Sequence, residues 1–347
     1  MITASPGARI THHQMASPAD TAPKPADWRQ LWRDSLTDAA ELLRQLGLEH
    51  LHSQLPAGNA GFALRVPRGF LARMQHGDPH DPLLLQVLPS LAELEQPPGF
   101  AVDAVGDLDA RAAQGVLHKY QGRALLIASG SCAINCRYCF RRHFPYGDEM
   151  AAAGQWRQAL EHVRQDASIS ELILSGGDPL ALTTAKLEEL TRGLADIPHV
   201  TRLRIHTRLP VVLPERVDEA FQQWLTALPL QKVVVLHANH ANEFDASVDA
   251  ACTRLRATGA TVLNQSVLLR GINDHADTLA ALSERLFAAG VLPYYLHQLD
   301  RVQGAAHFEV DDSRAQALIE AVRARLPGYL VPKLVREVGG DTAKRPV

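Results

Sequence analysis

The sequence predicts an α/β fold, a partial (β/α)6 barrel with an N-terminal helical extension, and three observations predict it. After Gly122, short apolar β-branched runs alternate with helical patterns of roughly ten to fifteen residues. The chain has 347 residues and is 46% apolar, enough for one large core plus an extension, since α/β barrels run to about 200–250 residues as one domain. The residues able to do chemistry fall just after predicted strands, where α/β barrels carry their sites.

Taken in order, residues 1–27 are rich in Pro, Ala, Ser and Thr without periodicity and are expected to form a disordered tail. Trp28, Leu31, Trp32, Leu36, Ala39, Leu42 and Leu43 fall at helical spacing, which predicts a helix over 28–46, ending before Gly47. It opens a helical extension over 28–118. The part between Arg65 and Gly122 reads as short helices separated by the turn signals VPRGF, GDPHDP and EQPPGF, and shows no catalytic cluster. The barrel, 119–330, is expected to hold strands over 123–128, 171–175, 201–206, 232–237, 260–269 and 291–299. Helices are expected near 151–165, 183–194, 214–227, 243–258, 276–289 and 312–325. Such alternation implies βαβ units, a parallel sheet and right-handed crossovers. Residues 331–347 form a C-terminal segment.

Composition narrows the function. A net charge of -3 asks for neither nucleic acid nor an anionic membrane as partner. No apolar run approaches the roughly 20 residues that cross a bilayer, and the first residues lack a secretory apolar core, so a cytoplasmic protein with a small-molecule substrate is expected. Of four cysteines, three stand together in SCAINCRYCFRRHF and the fourth, Cys252, stands alone in a helical pattern as a small buried residue. That clustering argues against a disulfide framework and for a metal or redox site.

Cys132, Cys136 and Cys139 follow the first predicted strand, and three thiolates on one loop can hold an iron–sulfur cube with one iron left open. Tetrahedral zinc, with His143 as fourth ligand, is the alternative. The second strand ends in Ser175, Gly176, Gly177 and Asp178, a turn that lets backbone approach a ligand closely or is simply tight. The third ends in His206, Thr207 and Arg208.

CAINCRYC resembles the CxxxCxxC signature of radical S-adenosylmethionine enzymes. With CRYCFRRHFPY, LILSGGDPL, HANHANE, LNQSVLLRGIND, PYYLHQLD, QGAAHF and GYLVPKLVREVGG, the chain from about Leu64 to Pro346 resembles the lysine 2,3-aminomutase family, in the short form associated with elongation factor P modification. The resemblance implies a radical SAM barrel and an isomerase that moves the amino group of L-lysine from carbon 2 to carbon 3, giving β-lysine. It implies a 4Fe–4S cluster on the three cysteines, S-adenosylmethionine against Ser175, Gly176, Gly177, Asp178, His206 and Arg208, and pyridoxal 5'-phosphate on Lys344. Lys333 competes for that last role, but the family's lysine follows a glycine-rich turn, as Lys344 does after Gly339 and Gly340. Lys119, Tyr120 and Arg123 are implied around the phosphate, with Lys119 standing where longer members have arginine. Asn264, Gln265 and Ser266 are expected to add neutral hydrogen bonds. Arg141 matches the arginine that clamps the substrate carboxylate, with Arg142 expected at the surface or facing phosphate. Asp300 matches a carboxylate for the distal ammonium, and Glu337 stands where longer members have Asp. An external electron donor such as flavodoxin or ferredoxin is implied, as is a link through the product to elongation factor P. Two other readings stay open: an aminomutase for another amino acid such as glutamate, and a cluster or zinc protein that binds a partner without catalysis.

Overall fold

The structure, a computed structural model, describes residues 27–147 and 156–347. The expected disordered tail, except Asp27, and the first residues of the expected helix 151–165 lie outside them. Helices are α1 (Trp28–Arg33), α2 (Ala39–Gln45), α3 (Arg68–Leu71), α4 (Trp156–Gln165), α5 (Thr184–Ala195), α6 (Leu209–Val212), α7 (Glu219–Ala227), α8 (Ala246–Ala257), α9 (Ala276–Ala288) and α10 (Asp312–Arg323). Strands are β1 (Arg111–Ala113), β2 (Val116–Tyr120), β3 (Arg123–Ser129), β4 (Glu171–Gly176), β5 (Arg202–Thr207), β6 (Gln231–His237), β7 (Thr261–Val267), β8 (Leu292–His297), β9 (Lys333–Arg336) and β10 (Arg345–Pro346).

All ten strands form one sheet in sequence order. From β3 to β9 every pairing is parallel, while β1, β2 and β10 extend the edges antiparallel. The six predicted strands are β3 to β8. They read clearly because a parallel strand covered on both faces becomes a continuous apolar run, as in β4, where all six residues are buried. A seventh parallel strand, β9, was not expected. The result is the expected partial barrel, with its strand C-termini at one mouth.

The expected helix over 28–46 is two helices. Leu36 leaves helical geometry to bridge Val66, with its N–H donating to Val66 O at 2.8 Å and Val66 N–H returning to Leu36 O at 2.9 Å. Asp38 then caps a fresh start, accepting from Glu41 N at 2.7 Å. The apolar spacing continues across the break because both helices bury their stripe in the same core, which joins Leu42, Leu43 and Phe70 of the extension to barrel residues such as Leu187, Phe221 and Leu255. A second core packs α10 (Leu318, Ile319, Val322) on Leu279 of α9 and on Leu296 and Leu334 of β8 and β9. No helix among the described residues is long and apolar enough to cross a membrane.

Candidate functional site

At the strand C-termini lies a cavity of about 330 Å³, within the usual range for ligand pockets. Its first wall is made where the loop after β3 meets the loop after β4. Gly177 N donates to Ser129 O at 2.6 Å and Asp178 N to Ser131 O at 2.8 Å. A Cβ on Gly177 would lie 2.6 Å from Ser131 O, and one on Gly176, whose φ is +118°, 2.5 Å from Ser129 O, so only glycine lets the two loops clasp. The clasp holds the cysteine loop, where Cys139 N bonds Cys136 O at 3.0 Å and all three clustered thiols line the cavity. Burial pushes the Cys132 thiol well above its ordinary range, and burial with the neighbouring thiol pushes Cys139 up to about 11. Buried thiols of this kind ionise only beside a cation, which is the demand an iron cluster meets.

Among the described residues, no three His, Cys, Asp or Glu side chains are placed to share a single metal ion. A four-iron cube does not ask for that, since each thiolate takes a separate iron and the ligands stand further apart. His143 points elsewhere, its Nε2 3.1 Å from Gln303 O, so the geometry does not supply zinc with a fourth ligand. The thiol set fits a cluster.

Another part of the lining is a row of alternating charges, buried at Asp107 and Arg141 and half-buried at Lys119, Glu337 and Lys344. Arg141 Nε donates to Asp107 Oδ2 at 2.6 Å, Lys119 Nζ lies 2.6 Å from Asp107 Oδ1 and 2.9 Å from Glu337 Oε1, and Lys344 Nζ donates to Glu337 Oε2. Burial opposes ionisation of Glu337, but Lys344 and Lys119 outweigh it and hold its carboxyl at about 2. Asp300 is the contrast: burial, then the Glu337 charge, raises it to about 7, and its Oδ1 has no hydrogen-bond partner. Other buried atoms of the lining lack hydrogen-bond partners too, among them Nε2 of His206 and of His297, and burial keeps both rings neutral. Unpaired buried polar atoms on a cavity wall mark places where a ligand can bond.

The cavity gathers every expected site residue except Asn264 and Ser266. Those two face away: Asn264 Nδ2 bonds Ala238 O and Ser266 Oγ, and Ser266 Oγ donates to Ala238 O at 2.7 Å. Successive residues of a strand point to opposite faces, so three in a row cannot all face one ligand, and Gln265 alone reaches the cavity, 2.8 Å from His237 Nε2. Lys119 is also differently used. Its three donors go to Asp107, Glu337 and Val105 O, which leaves none for phosphate. Arg123, its guanidinium 4.6 Å from the Tyr120 ring centroid, makes no ion pair among the described residues and fits a phosphate instead.

Ser175 Oγ accepts from Arg141 Nη1 at 3.0 Å. Asp178 spends both oxygens on Thr207 Oγ1 and the amides of Leu180, Arg208 and Leu209, tying the end of β4 to that of β5. Arg208 donates to Cys136 Sγ at 2.7 Å. Arg142, expected at the surface or near phosphate, is buried against Glu93. Lys333 is exposed on β9. Sequence reasoning missed Asp107, in the stretch that showed no catalytic cluster, and passed over His237 and His297, although both stand at the ends of quoted strand motifs.

Comparison with known proteins decides the family. The Radical SAM superfamily pattern matches residues 126–282. L-lysine 2,3-aminomutase of Escherichia coli is 49% identical over 94% of this chain and 95% of its own length. The Haemophilus influenzae protein of the same name is 45% identical over 92% and 94%. The chain belongs to the L-lysine 2,3-aminomutase family. L-lysine 2,3-aminomutase of Clostridium subterminale, 31% identical over 92% of this chain, is covered over 77% of its length. This aminomutase is therefore an enzyme of the isomerase class, and its radical SAM family implies a 4Fe–4S cluster and S-adenosylmethionine.

Proposed function

We propose that this aminomutase moves the amino group of L-lysine from carbon 2 to carbon 3, with pyridoxal phosphate carried on Lys344, and that its β-lysine serves the modification of elongation factor P. The observation that carries the reading is that the Lys344 amine and an unpartnered Asp300 oxygen share one cavity with three clustered cysteines. The name and full-length match of the Escherichia coli and Haemophilus influenzae relatives support the substrate, and the short-form motifs support the link to the translation factor.

When bound, pyridoxal phosphate supplies a conjugated system that spreads an unpaired electron, and adenosylmethionine on the cluster supplies the radical source. This chain's residues do the rest. Arg141, braced by Asp107 and Ser175, receives the lysine carboxylate. Asp300 receives the distal ammonium, so the two ends of the substrate are held apart and its reacting carbons are fixed between cysteine wall and Lys344. Arg123 and Tyr120 take the phosphate. Lys119 holds Glu337, and Glu337 holds Lys344, so this pair positions the cofactor lysine rather than touching substrate. In this reading the extension over 28–118 closes one side of the barrel of 119–330, and 331–347 carries the lysine. The setting is cytoplasmic, with flavodoxin or ferredoxin as electron donor.

The test is anaerobic incubation of the reconstituted protein with L-lysine, adenosylmethionine and dithionite, followed by product analysis. β-Lysine is expected. No product from protein loaded with both cofactors, or conversion of glutamate in place of lysine, would overturn the reading.

A further inference from the structure

Arg208 is buried between the cluster loop and the helical extension, and every acceptor near its terminal nitrogens is fixed. Nη1 donates to Cys136 Sγ at 2.7 Å and to Tyr138 Oη at 2.8 Å, and Nη2 to Gln86 Oε1 at 2.6 Å and Glu243 Oε2 at 2.9 Å. The acceptors are themselves held. Gln86 Oε1 also accepts from Asn239 Nδ2 at 3.0 Å, and Glu243 Oε1 accepts from Asn239 N at 2.7 Å and His240 N at 3.1 Å. The Tyr138 hydroxyl takes a second donor from Asn239 Nδ2 at 2.7 Å. The guanidinium therefore cannot swing toward a ligand without breaking several buried bonds. Its aim at one cysteine sulfur is built in.

We propose that Arg208 is a positioning residue that sets the electron affinity of the cluster through Cys136 Sγ, with Glu243 and Gln86 setting how strongly it does so. The proposal rests on the reading that Cys132, Cys136 and Cys139 hold a four-iron cluster. Hydrogen bonds to cluster sulfurs and nearby charge are main determinants of such a cluster's potential. The reduced cluster carries one more negative charge, so a buried cation bonded to its ligand sulfur favours reduction. A buried anion on the far side of that cation opposes it. The two residues thus push the potential in opposite directions, and a purely structural role would not.

Reconstituted parent, Arg208→Gln, Arg208→Lys and Glu243→Gln are compared by EPR-monitored potentiometry, with iron and sulfide content and thermal unfolding measured alongside. Arg208→Gln should lower the potential, Arg208→Lys should lower it less, and Glu243→Gln should raise it, all at parent iron content. If Arg208→Gln takes up no iron, the opposite signs of Arg208→Lys and Glu243→Gln carry the test. Parent that takes up no cluster would sink the reading of the cysteines. Parent with a cluster, and variants that keep the parent potential or all shift the same way, would overturn the role of Arg208.

Discussion

Asp300 and Glu337 lie in one cavity and titrate in opposite directions, which separates their roles. Glu337 is held at about 2 by two lysines and stays a carboxylate at any working pH. Asp300 is raised to about 7 by burial and by Glu337, with Lys344 and Lys119 only partly offsetting this, so its charge changes within the working range. Acid pH leaves Asp300 neutral and unable to pair with an ammonium. The kcat/KM for lysine should fall as pH drops through about 7, and Asp300→Asn should lose that limb. Removing one partner of a buried ion pair costs about 3–5 kcal/mol, so Asp300→Asn should lower kcat/KM by roughly two to four orders of magnitude while both cofactors still bind. A variant that rearranges lysine within about fivefold of the parent rate would place the ammonium elsewhere. The same scale separates the two candidate lysines. Lys344 reaches the cavity and Lys333 stands exposed on β9, so borohydride reduction and peptide mapping should find the pyridoxyl label on Lys344. Lys344→Ala should abolish labelling and Lys333→Ala should leave it, and label on Lys333 would sink the assignment.

The elements put these side chains in place by packing that can be broken one atom at a time. Gly177→Ala would drive a Cβ to 2.6 Å from Ser131 O and 2.8 Å from Ser131 N, with no flexible side chain to yield. The clasp between the loops after β3 and β4 should open, and reconstituted iron content should fall well below parent; full iron content would show that the cysteine loop holds its shape unaided. Cys252 belongs to another element. It is fully buried on α8 among apolar neighbours, and burial pushes its thiol up to about 12. Cys252→Ala should cost about 1 kcal/mol of stability and no iron, and cluster loss in that variant would contradict the assignment of the other three cysteines. The six strands β3 to β8 were legible because buried parallel strands read as apolar runs, and the cysteine loop because its spacing is local. The short strands β1, β2, β9 and β10 give too little pattern to read. Asp107 was hidden because its partners, Arg141 and Lys119, lie at other places in the chain and only the fold brings them together. Strand alternation alone forbids Asn264, Gln265 and Ser266 from sharing one wall, but which side faces the cavity is decided by the fold, which turns Gln265 inward.

At the scale of the molecule, the extension is fastened to the cluster loop by a hub built on one buried carboxylate, Glu93. Glu93 takes Arg137 Nε on Oε1 at 2.8 Å, and on Oε2 it takes Arg137 Nη2 at 2.5 Å and Arg142 Nη2 at 2.7 Å, with all three side chains buried. Arg137 further donates to Phe62 O at 2.7 Å and Asn59 O at 2.9 Å, and Arg142 to Gly304 O at 3.0 Å. One carboxylate thereby joins the extension, the cysteine loop and the loop after β8. The hub's cations also lie over the Phe62 ring, with guanidinium carbons 5.1 and 4.9 Å from its centroid, so Phe62 shields them from water. Glu93→Gln keeps the shape and leaves two buried guanidinium groups without an anion, a loss of about 3–5 kcal/mol. Thermal unfolding of the cluster-free protein should move down by roughly 5–10 °C. Because Arg137 and Arg142 flank Cys139, iron uptake should fall too, whereas Asp300→Asn, which removes no hydrogen bond of the hub, should keep parent iron content. If the carbonyls alone satisfied the two cations, Glu93→Gln would unfold within about 2 °C of the parent and take up full iron, and Glu93 would then not be what fastens the extension to the cysteine loop.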